Sequence, residues 1–544
     1  MNRRIYILYL EHFLKGNNRM AKKKLLFNGP DWDFDIINNT YEEIEKICTE
    51  ELGCDPYVNQ LEVITSEQML DAYSSIGLPL SYSHWSHGKT WAQYERQYSK
   101  GQTSLAYELV INSNPCINYL MEENSMTTQA LVLAHAAFGH NHFFKHNYLF
   151  KTWTDADSII DYLVFVKKYV KRCEEKHGLE EVETFLDSLH TLKEYGIYKY
   201  KRPPKLNAAE ELKEQEDRET FLQEQVNDLW RTLPNLKSKE EREEKLKGQI
   251  GSPEENILYF LEKNAPNLEP WQRELCRIVR KISIYFYPQG QTKIMNEGFA
   301  CFVHYYTMNR LYDKGLIGES TMFEFLKLHT NVLYQPTYDK KWFSGMNPYS
   351  IGFAMFMDIK RICENPTKED KEWFPNIAGT EWKETILDIV ANYRDESFIL
   401  QFMSPKIIRD CKFFLLEDSA GNIEFKVSAI HDTRGYKRIR KELAKQQEYN
   451  HRVPNIQIID CDLLDTRDLI LGYKMSDGKE LHEKDMDQVL LHVKQIWGYD
   501  IILELWKDGE KIGQKSTDAK KVESVKSTTH NPFAYGMFTN PGYI

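Results

Sequence analysis

Residues 154–178, TDADSIIDYLVFVKKYVKRCEEKHG, decide how this chain should be read. Acidic and hydroxyl residues open the stretch and Gly178 closes it. Between them Ile160, Leu163, Val166, Val170 and Cys173 recur at spacings of three and four, the period of one helical face. The same pattern continues upstream, where Tyr41, Ile44, Ile47, Cys48 and Leu52 form a stripe, and Thr65 with Gln68 makes a capping box for a helix that stops before Gly77 and Pro79. Pro203 and Pro204 end this block, and residues 203–251 turn charged, as expected of a partly disordered insertion. Ser252, Pro253 and Glu255 restart the helical pattern, which runs through EPWQRELCRIVRKISIYFYP, TKIMNEGFACFVHYYTMNRLYDKG and NPYSIGFAMFMDIKRICENP to about residue 402.

Past Pro405 the texture changes. CKFFLLEDSAGNIEFKVSAI reads as a hairpin, GYKRIRKELAKQQE as a helix, IQIIDCDL and DLILGYKM as strands, and MDQVLLHVKQIWG as a helix. DIILELWKDGEKIGQ closes the series as a hairpin turning at Asp508-Gly509. The expected fold is therefore mainly α: a large helical N-terminal domain over 26–402 and a small α+β C-terminal domain over 405–515. Residues 1–25 are expected to be a flexible extension and 516–544 a flexible tail.

Composition narrows the function classes. With 544 residues, 42% hydrophobic and 13% aromatic, the chain can bury a large core. Its 81 acidic against 70 basic residues give a net charge of -11, and no basic stripe reverses this locally, so nucleic acid is not the expected partner. Nine cysteines stand at 48, 54, 116, 173, 276, 301, 363, 411 and 461 with no CxxC pair, which fits a reducing cytoplasm rather than a disulfide framework or a thiolate zinc knuckle. The apolar run Ile5–Leu10 stops at Glu11, too short to export or span, and Met20 followed by AKKK is an alternative start. No transmembrane segment is expected.

Six of the sixteen histidines (84, 87, 135, 140, 142 and 146) fall between residues 84 and 146, where an even spread would place about two. Four of them crowd into AHAAFGHNHFFKHN, residues 134–147. In an uninterrupted α-helix, His140 would lie roughly 140° around the axis from His135. A left-handed Gly139 at a helix end would swing His140 and Asn141 back over the helix and bring His135 and His140 to one ion. The zinc-protease HExxH is absent. Glu297 and His304 in NEGFACFVH share a stripe but stand roughly 10.5 Å apart along the axis, so one would be a ligand and the other an outer partner or acid/base.

The candidate metal ligands are thus His135, His140 and Glu297, with zinc or iron as the metal, and the candidate catalytic residues are Glu297, His304 and Asn141. The plain alternative is a set of hydrogen-bonded polar groups in a helical core. His142 and His146 are expected to be exposed, His84 beside Trp85 to be a packing residue or a third ligand, and Glu108 to lie on a solvated face or form a buried salt bridge. Cys116, after Asn114 and Pro115, is a thiol candidate with His135 or His140 as base. Walker, GxSxG and Rossmann signatures are missing, which leaves nucleotide hydrolysis and serine esterase chemistry without support.

Several long motifs resemble one family. NQLEVITSEQMLDAYSSIGLP, SHWSHGK, AYELVINSNPCINYLMEEN, ALVLAHAAFGHNHFFKHNYLF, ENILYFLEKNAP, MNEGFACFVHY and DESFILQFMSPKIIRDCKFF closely resemble the stage V sporulation protein R (SpoVR) family, and the likeness runs from about 26 to 510. The resemblance implies a part in forming the spore cortex, a modified peptidoglycan. In bacteria without spores it implies partnership with a PrkA-like serine kinase and a von Willebrand type A domain protein. It brings no established reaction or cofactor. His87, His146 and Cys301 depart from the family pattern of Phe, Asn and Thr, leaving His135, His140, Asn141, Glu297 and His304 as matched polar positions. Three functions follow as expectations: a cytoplasmic regulator of cortex or cell-wall peptidoglycan acting with kinase-type partners; a metal-dependent hydrolase or oxidase; and a non-catalytic docking protein working through the α+β domain.

Overall fold

The computed structural model describes residues 24–75, 77–99, 108–199, 253–336, 345–413, 416–417, 426–427, 433–461, 466–475 and 479–518. The expected insertion 203–251, and the parts of the expected extension and tail at 1–23 and 519–544, lie outside the described residues. The chain folds as two compact units, residues 1–177 with 285–452, and residues 178–284 with 453–544. Most described residues are helical, and a four-stranded sheet with a crossover helix follows residue 454, as the sequence patterns indicate.

In the first unit α1 (Phe34–Lys46) begins at Asp33, whose side chain accepts from the Ile36 amide. A three-stranded sheet follows: β1 (Asn59–Ile64) pairs parallel with β3 (Cys116–Met121), and β2 (Glu108–Ile111) pairs antiparallel on its other side, with Glu108 opposite Leu120. Next come α2 (Met126–Val132), a π-helical segment Leu133–His140, α3 (Asn141–His146) and α4 (Ile159–His177). Helix α4 buries Ile159, Leu163, Val166, Val170 and Cys173. The first position of the expected stripe is thus Ile159 rather than Ile160. Each large apolar side chain fully buried this way contributes about 2 kcal/mol relative to exposure.

The centre of the unit is built on α5 (Lys293–Asp313), α6 (Glu319–Val332) and α7 (Pro348–Glu364), flanked by α8 (Asp395–Phe402) and α9 (Thr433–Lys445). Helix α5 has no side-chain cap of its own at Thr292. The free amides of Ile294 and Met295 are instead taken by the Asp395 carboxylate at 2.9 Å each. Two glycine contacts fix where α5 lies. A β-carbon on Gly298 would overlap the Gly352 backbone of α7, and one on Gly139 would sit 2.6 Å from the Ala300 Cα. Backbone therefore meets backbone on both sides of Glu297.

Of the described residues past 405, Ile407, Ile408, Ile439 and Ala444 pack into this helical core. The compact units therefore divide at residue 452 rather than near 405.

The second unit is discontinuous in sequence. Its sheet runs β4 (Ile456–Cys461), β5 (Leu469–Lys474), β6 (Ile501–Lys507), β7 (Glu510–Ser516); β4/β5 and β6/β7 are antiparallel, while β5/β6 is parallel across the crossover helix Glu483–Trp497. That helix ends at a left-handed Gly498. The last hairpin turns at Asp508 and Gly509, both with positive φ, as Asp-Gly at a two-residue turn requires. Earlier residues close the unit: Glu254 bridges to Ile458, and the Tyr195 hydroxyl donates to the Pro454 carbonyl at 3.0 Å.

Candidate metal centre

The histidine stretch converges by a different device from the one expected. Gly139 is not left-handed; it lies inside the π-helical segment, in which the Asn141 amide bonds back five residues to the Ala136 carbonyl. The wider π turn carries about 4.4 residues, so a spacing of five returns nearly to the same face. His135 and His140 end with ring centroids 4.6 Å apart and planes at 90°. The role of Gly139 is to admit Ala300 of α5, which brings Glu297 alongside. Side chains from β1 hold the segment: the Asn59 amide donates to the Ala137 carbonyl at 3.0 Å, and Asn141 donates to Asn59 and to the Tyr57 carbonyl and accepts from the Tyr57 amide. Asn141 is thus bonded to the Tyr57–Asn59 stretch.

Four donors face one another. His135 Nε2 lies 3.4 Å from Glu108 Oε1 and 3.7 Å from Glu297 Oε2, and His140 Nε2 lies 3.5 Å from Glu297 Oε2. Four donors placed tetrahedrally about 2.0–2.1 Å from a common ion would be separated by about 3.3 Å, close to these spacings. The contacts are long for hydrogen bonds, and Glu108 Oε2 and Glu297 Oε2 are buried without a hydrogen-bond partner among the described residues. Glu108 was expected on a solvated face or in a salt bridge, not as a ligand. Its position at the start of β2 makes it a fourth potential ligand, and the Glu108, His135 and His140 ligand atoms all lie within 4.8 Å of one another. The carboxylates keep 19% and 17% of their side-chain surface exposed against 4% for His135, so their edges are where solvent reaches the group.

The remaining nitrogens are engaged behind the site. His140 Nδ1 pairs with Asn296 Oδ1 at 2.9 Å, so the proton lies on Nδ1 and Nε2 is bare toward Glu297. His135 Nδ1 meets His304 Nδ1 at 2.9 Å, and His304 Nε2 meets His329 Nδ1 at 2.7 Å. His304 therefore stands behind His135, while Glu297 faces its other nitrogen. Cys301 belongs to a second group, its sulfur and one nitrogen each of His135 and His304 lying within 4.8 Å of one another. Tyr349 stacks on His135 with centroids 6.3 Å apart.

Electrostatics divide the group. Burial, opposed by His135 and assisted by Glu297, raises the Glu108 carboxyl to about 7. Burial also pushes Glu297 up, but His135 and His140 outweigh it and leave it below its ordinary value. For His135 burial is overcome, chiefly by Glu108, and the imidazole sits well above the usual range. His140 is held down to about 4 by burial and by the charge of His135. Burial, with His329 and His135 adding to it, keeps His304 far below the usual range.

Other candidates fall elsewhere. Cys116 follows a cis Asn114–Pro115 bond, is fully buried, and donates to the Ile111 carbonyl; burial pushes its thiol up to about 12, which removes it as a nucleophile. His142 is buried rather than exposed, because the Asp55 amide donates to its Nδ1 at 2.9 Å, and His146, partly buried, contacts the Asp55 carboxylate. His84 is buried with its Nδ1 on Ser86 at 2.7 Å. Two participants, Asn296 and His329, were not singled out from the sequence. His329 had a readable signal, since it continues the buried face of Met322 and Phe325 on α6.

Two histidines and two carboxylates brought together in a helical scaffold make a donor set that could hold a metal ion, and comparison with known sequences identifies the family. The chain belongs to the SpoVR family: a model described as SpoVR like protein matches residues 31–452, and one described as SpoVR-like C-terminal domain matches residues 454–508. It is 53% identical over 479 residues to the uncharacterized protein YcgB of Escherichia coli (strain K12), covering 88% of this chain and 93% of that relative. No solved structure matches. Among the described residues, no helix is long and apolar enough to cross a membrane.

Proposed function

We propose that this chain is a metal-dependent enzyme, a hydrolase or oxidase, whose ion is held by Glu108, His135, His140 and Glu297. The observation that carries the reading is Glu297 Oε2, buried with no hydrogen-bond partner among the described residues and 3.7 and 3.5 Å from His135 Nε2 and His140 Nε2, with Glu108 Oε1 3.4 Å from the same His135 nitrogen. Orphaned buried acceptors are costly, and a bound cation is one way to satisfy them. The donor set suits zinc or iron. When bound, zinc supplies an activated water at neutral pH, and iron supplies one-electron and dioxygen chemistry. The chain's own part is to keep His140 Nε2 bare through Asn296 and to hold a carboxyl, Glu108, near neutrality beside the reacting position.

The cellular role we propose is the formation of spore cortex or cell-wall peptidoglycan, exercised from the cytoplasm in a regulatory capacity, with a PrkA-like serine kinase and a von Willebrand type A domain protein as partners. Family membership supports this part. Elemental analysis of the purified protein beside His135→Ala and Glu297→Ala tests the metal reading: near-stoichiometric zinc or iron, lost in both folded variants, is expected. Folded wild-type protein that neither contains nor takes up metal would sink it. Recovery of the native protein outside the cytoplasmic fraction, or a deletion strain with unaltered wall and spores, would count against the cellular role.

A further inference from the structure

The mechanism just proposed uses His135 only through Nε2, yet its other nitrogen begins a chain of imidazoles. His135 Nδ1, His304 Nδ1, His304 Nε2 and His329 Nδ1 are joined by contacts of 2.9 and 2.7 Å, and all three rings are buried, 3%, 1% and 1% exposed. Two nitrogens that close must share one proton. A neutral imidazole carries only one, so once His135 has given up the second proton that Glu108 favours in the metal-free protein, the three neutral rings joined in this way have just two arrangements. In the first, His135 carries its proton on Nδ1, and His304 and His329 carry theirs on Nε2. In the second, His329 and His304 carry theirs on Nδ1, and His135 is left with a proton on Nε2. The second arrangement blocks the nitrogen that faces Glu108 and Glu297.

We propose that His304 and His329 are positioning residues that lock His135 in the tautomer whose Nε2 is bare and aimed at the metal position. This rests on the metal reading and deepens it. The far end of the chain favours the same direction. Among the described residues His329 Nε2 is buried with no hydrogen-bond partner, Phe353 lies edge-to-face with the His329 ring at 4.9 Å, and Phe325 is stacked on it at 5.5 Å. An aromatic face is a weak acceptor for an N–H and offers nothing to a bare lone pair. A proton on His329 Nε2 leaves its Nδ1 free to accept from His304, which then accepts from His135. The ligand nitrogen is thus set from a residue two imidazoles away. Histidines that bind metals ordinarily have the other nitrogen fixed by a carboxylate or carbonyl; here histidines do it.

The test compares the wild-type chain with His329→Leu, which removes the acceptor, and His329→Asn, whose Oδ1 can replace Nδ1. Zinc affinity is measured by chelator competition, and the cobalt(II)-loaded proteins are compared by visible absorption. His329→Leu is expected to lose roughly 10–100-fold in affinity and to alter the cobalt spectrum, and His329→Asn to recover most of both. A purely structural residue would not separate the two variants in this way. Leucine and asparagine variants that both fold and bind zinc and cobalt like the wild type would overturn the proposal.

Should the leucine variant not fold, ring-15N histidine shifts of the wild-type protein, read by solid-state NMR at a pH high enough that the His135 ring itself reads as neutral, decide: a proton on His304 Nε2 supports the chain, and one on His304 Nδ1 overturns it. The same spectrum separates the two ideas. Wild-type protein that binds neither zinc nor cobalt ends the metal reading, whereas the direction of the imidazole chain is still read from the metal-free sample.

Discussion

The second unit and the histidine cluster of the first handle their carboxylates in opposite ways. In the second unit Glu504 is fully buried, and its carboxylate accepts from Lys511 Nζ at 2.6 Å and from Trp506 Nε1 at 3.0 Å. Glu262, 2% exposed, is clasped by Arg277 and Arg280 at 3.0 and 3.1 Å. Both carboxylates have hydrogen-bonded cations, and nothing further is needed to explain their burial. In the histidine cluster Glu108 and Glu297 face imidazoles at distances too long for good hydrogen bonds, Tyr349 also stands against Glu297, and each carboxylate leaves an oxygen without a hydrogen-bond partner among the described residues. Burial of acid is therefore not the sign of a site; burial of acid without a matched cation is.

The largest effect should come from breaking a satisfied pair. Glu504→Gln removes the charge that Lys511 faces and should cost about 3–5 kcal/mol by urea unfolding. A cost below about 1 kcal/mol would mean that the second unit's carboxylates are no better anchored than those of the first. Next in size is ligand linkage. Zinc at one hundred times its dissociation constant should add about 2.7 kcal/mol to stability, and none in His140→Ala. Hydrogen exchange should localise the gain to residues 126–146 and 293–313, sparing the strands at 501–516. Protection spread over both units would dissolve the contrast between them.

Acid titration of the metal-free protein sharpens the same comparison. Burial holds His140 near 4, His142 and His329 near 3, and His304 far below its ordinary value. Their folded values lie below the unfolded value of about 6.5, so the unfolded chain binds more protons once pH drops under 6.5. Stability they contribute is full above that point and is lost as pH falls toward 3–4, by about 1.4 kcal/mol per pH unit for each histidine. Glu108 and Asp395, both raised by burial to about 7, act in the opposite sense between 7 and 4 but are fewer. Urea melts at pH 7 and pH 5 should therefore show the metal-free protein weaker at pH 5. Equal or greater stability at pH 5 would contradict this balance.

How much of this was legible in the sequence depends on the range of the interaction involved. Helices with a stripe and a cap announced themselves, Thr65 with Gln68 forming the full capping box expected of them, and so did the Asp508-Gly509 hairpin. The excess of histidines pointed to His135 and His140, and spacing alone separated Glu297 from His304. The π-helical segment was not legible, because a hydrogen bond back five residues leaves no residue signature and Gly139 reads equally well as a helix end. Gly298 against Gly352 and Gly139 against Ala300 are contacts between distant segments, as is the joining of residues 178–199 and 253–284 to the C-terminal strands. Glu108 belonged to a strand whose place beside His135 only the sheet determines.

The smallest expected effect is the most discriminating. Glu108→Gln preserves shape and one hydrogen-bonding oxygen while removing the charge. In the metal-free protein its cost should stay under about 1 kcal/mol, because a carboxyl raised to about 7 is already half protonated at neutral pH, and its Oε2 has no partner to lose. Glu297, 3.7 Å from His135, remains to balance that imidazole. The same substitution should lower zinc affinity, since an amide oxygen is a poorer ligand than a carboxylate. A mutation nearly silent in folding and costly in metal binding marks a residue kept for the ion. Were Glu108→Gln instead to cost as much as Glu504→Gln without metal, its contact with His135 would be a structural pair of the kind the second unit contains.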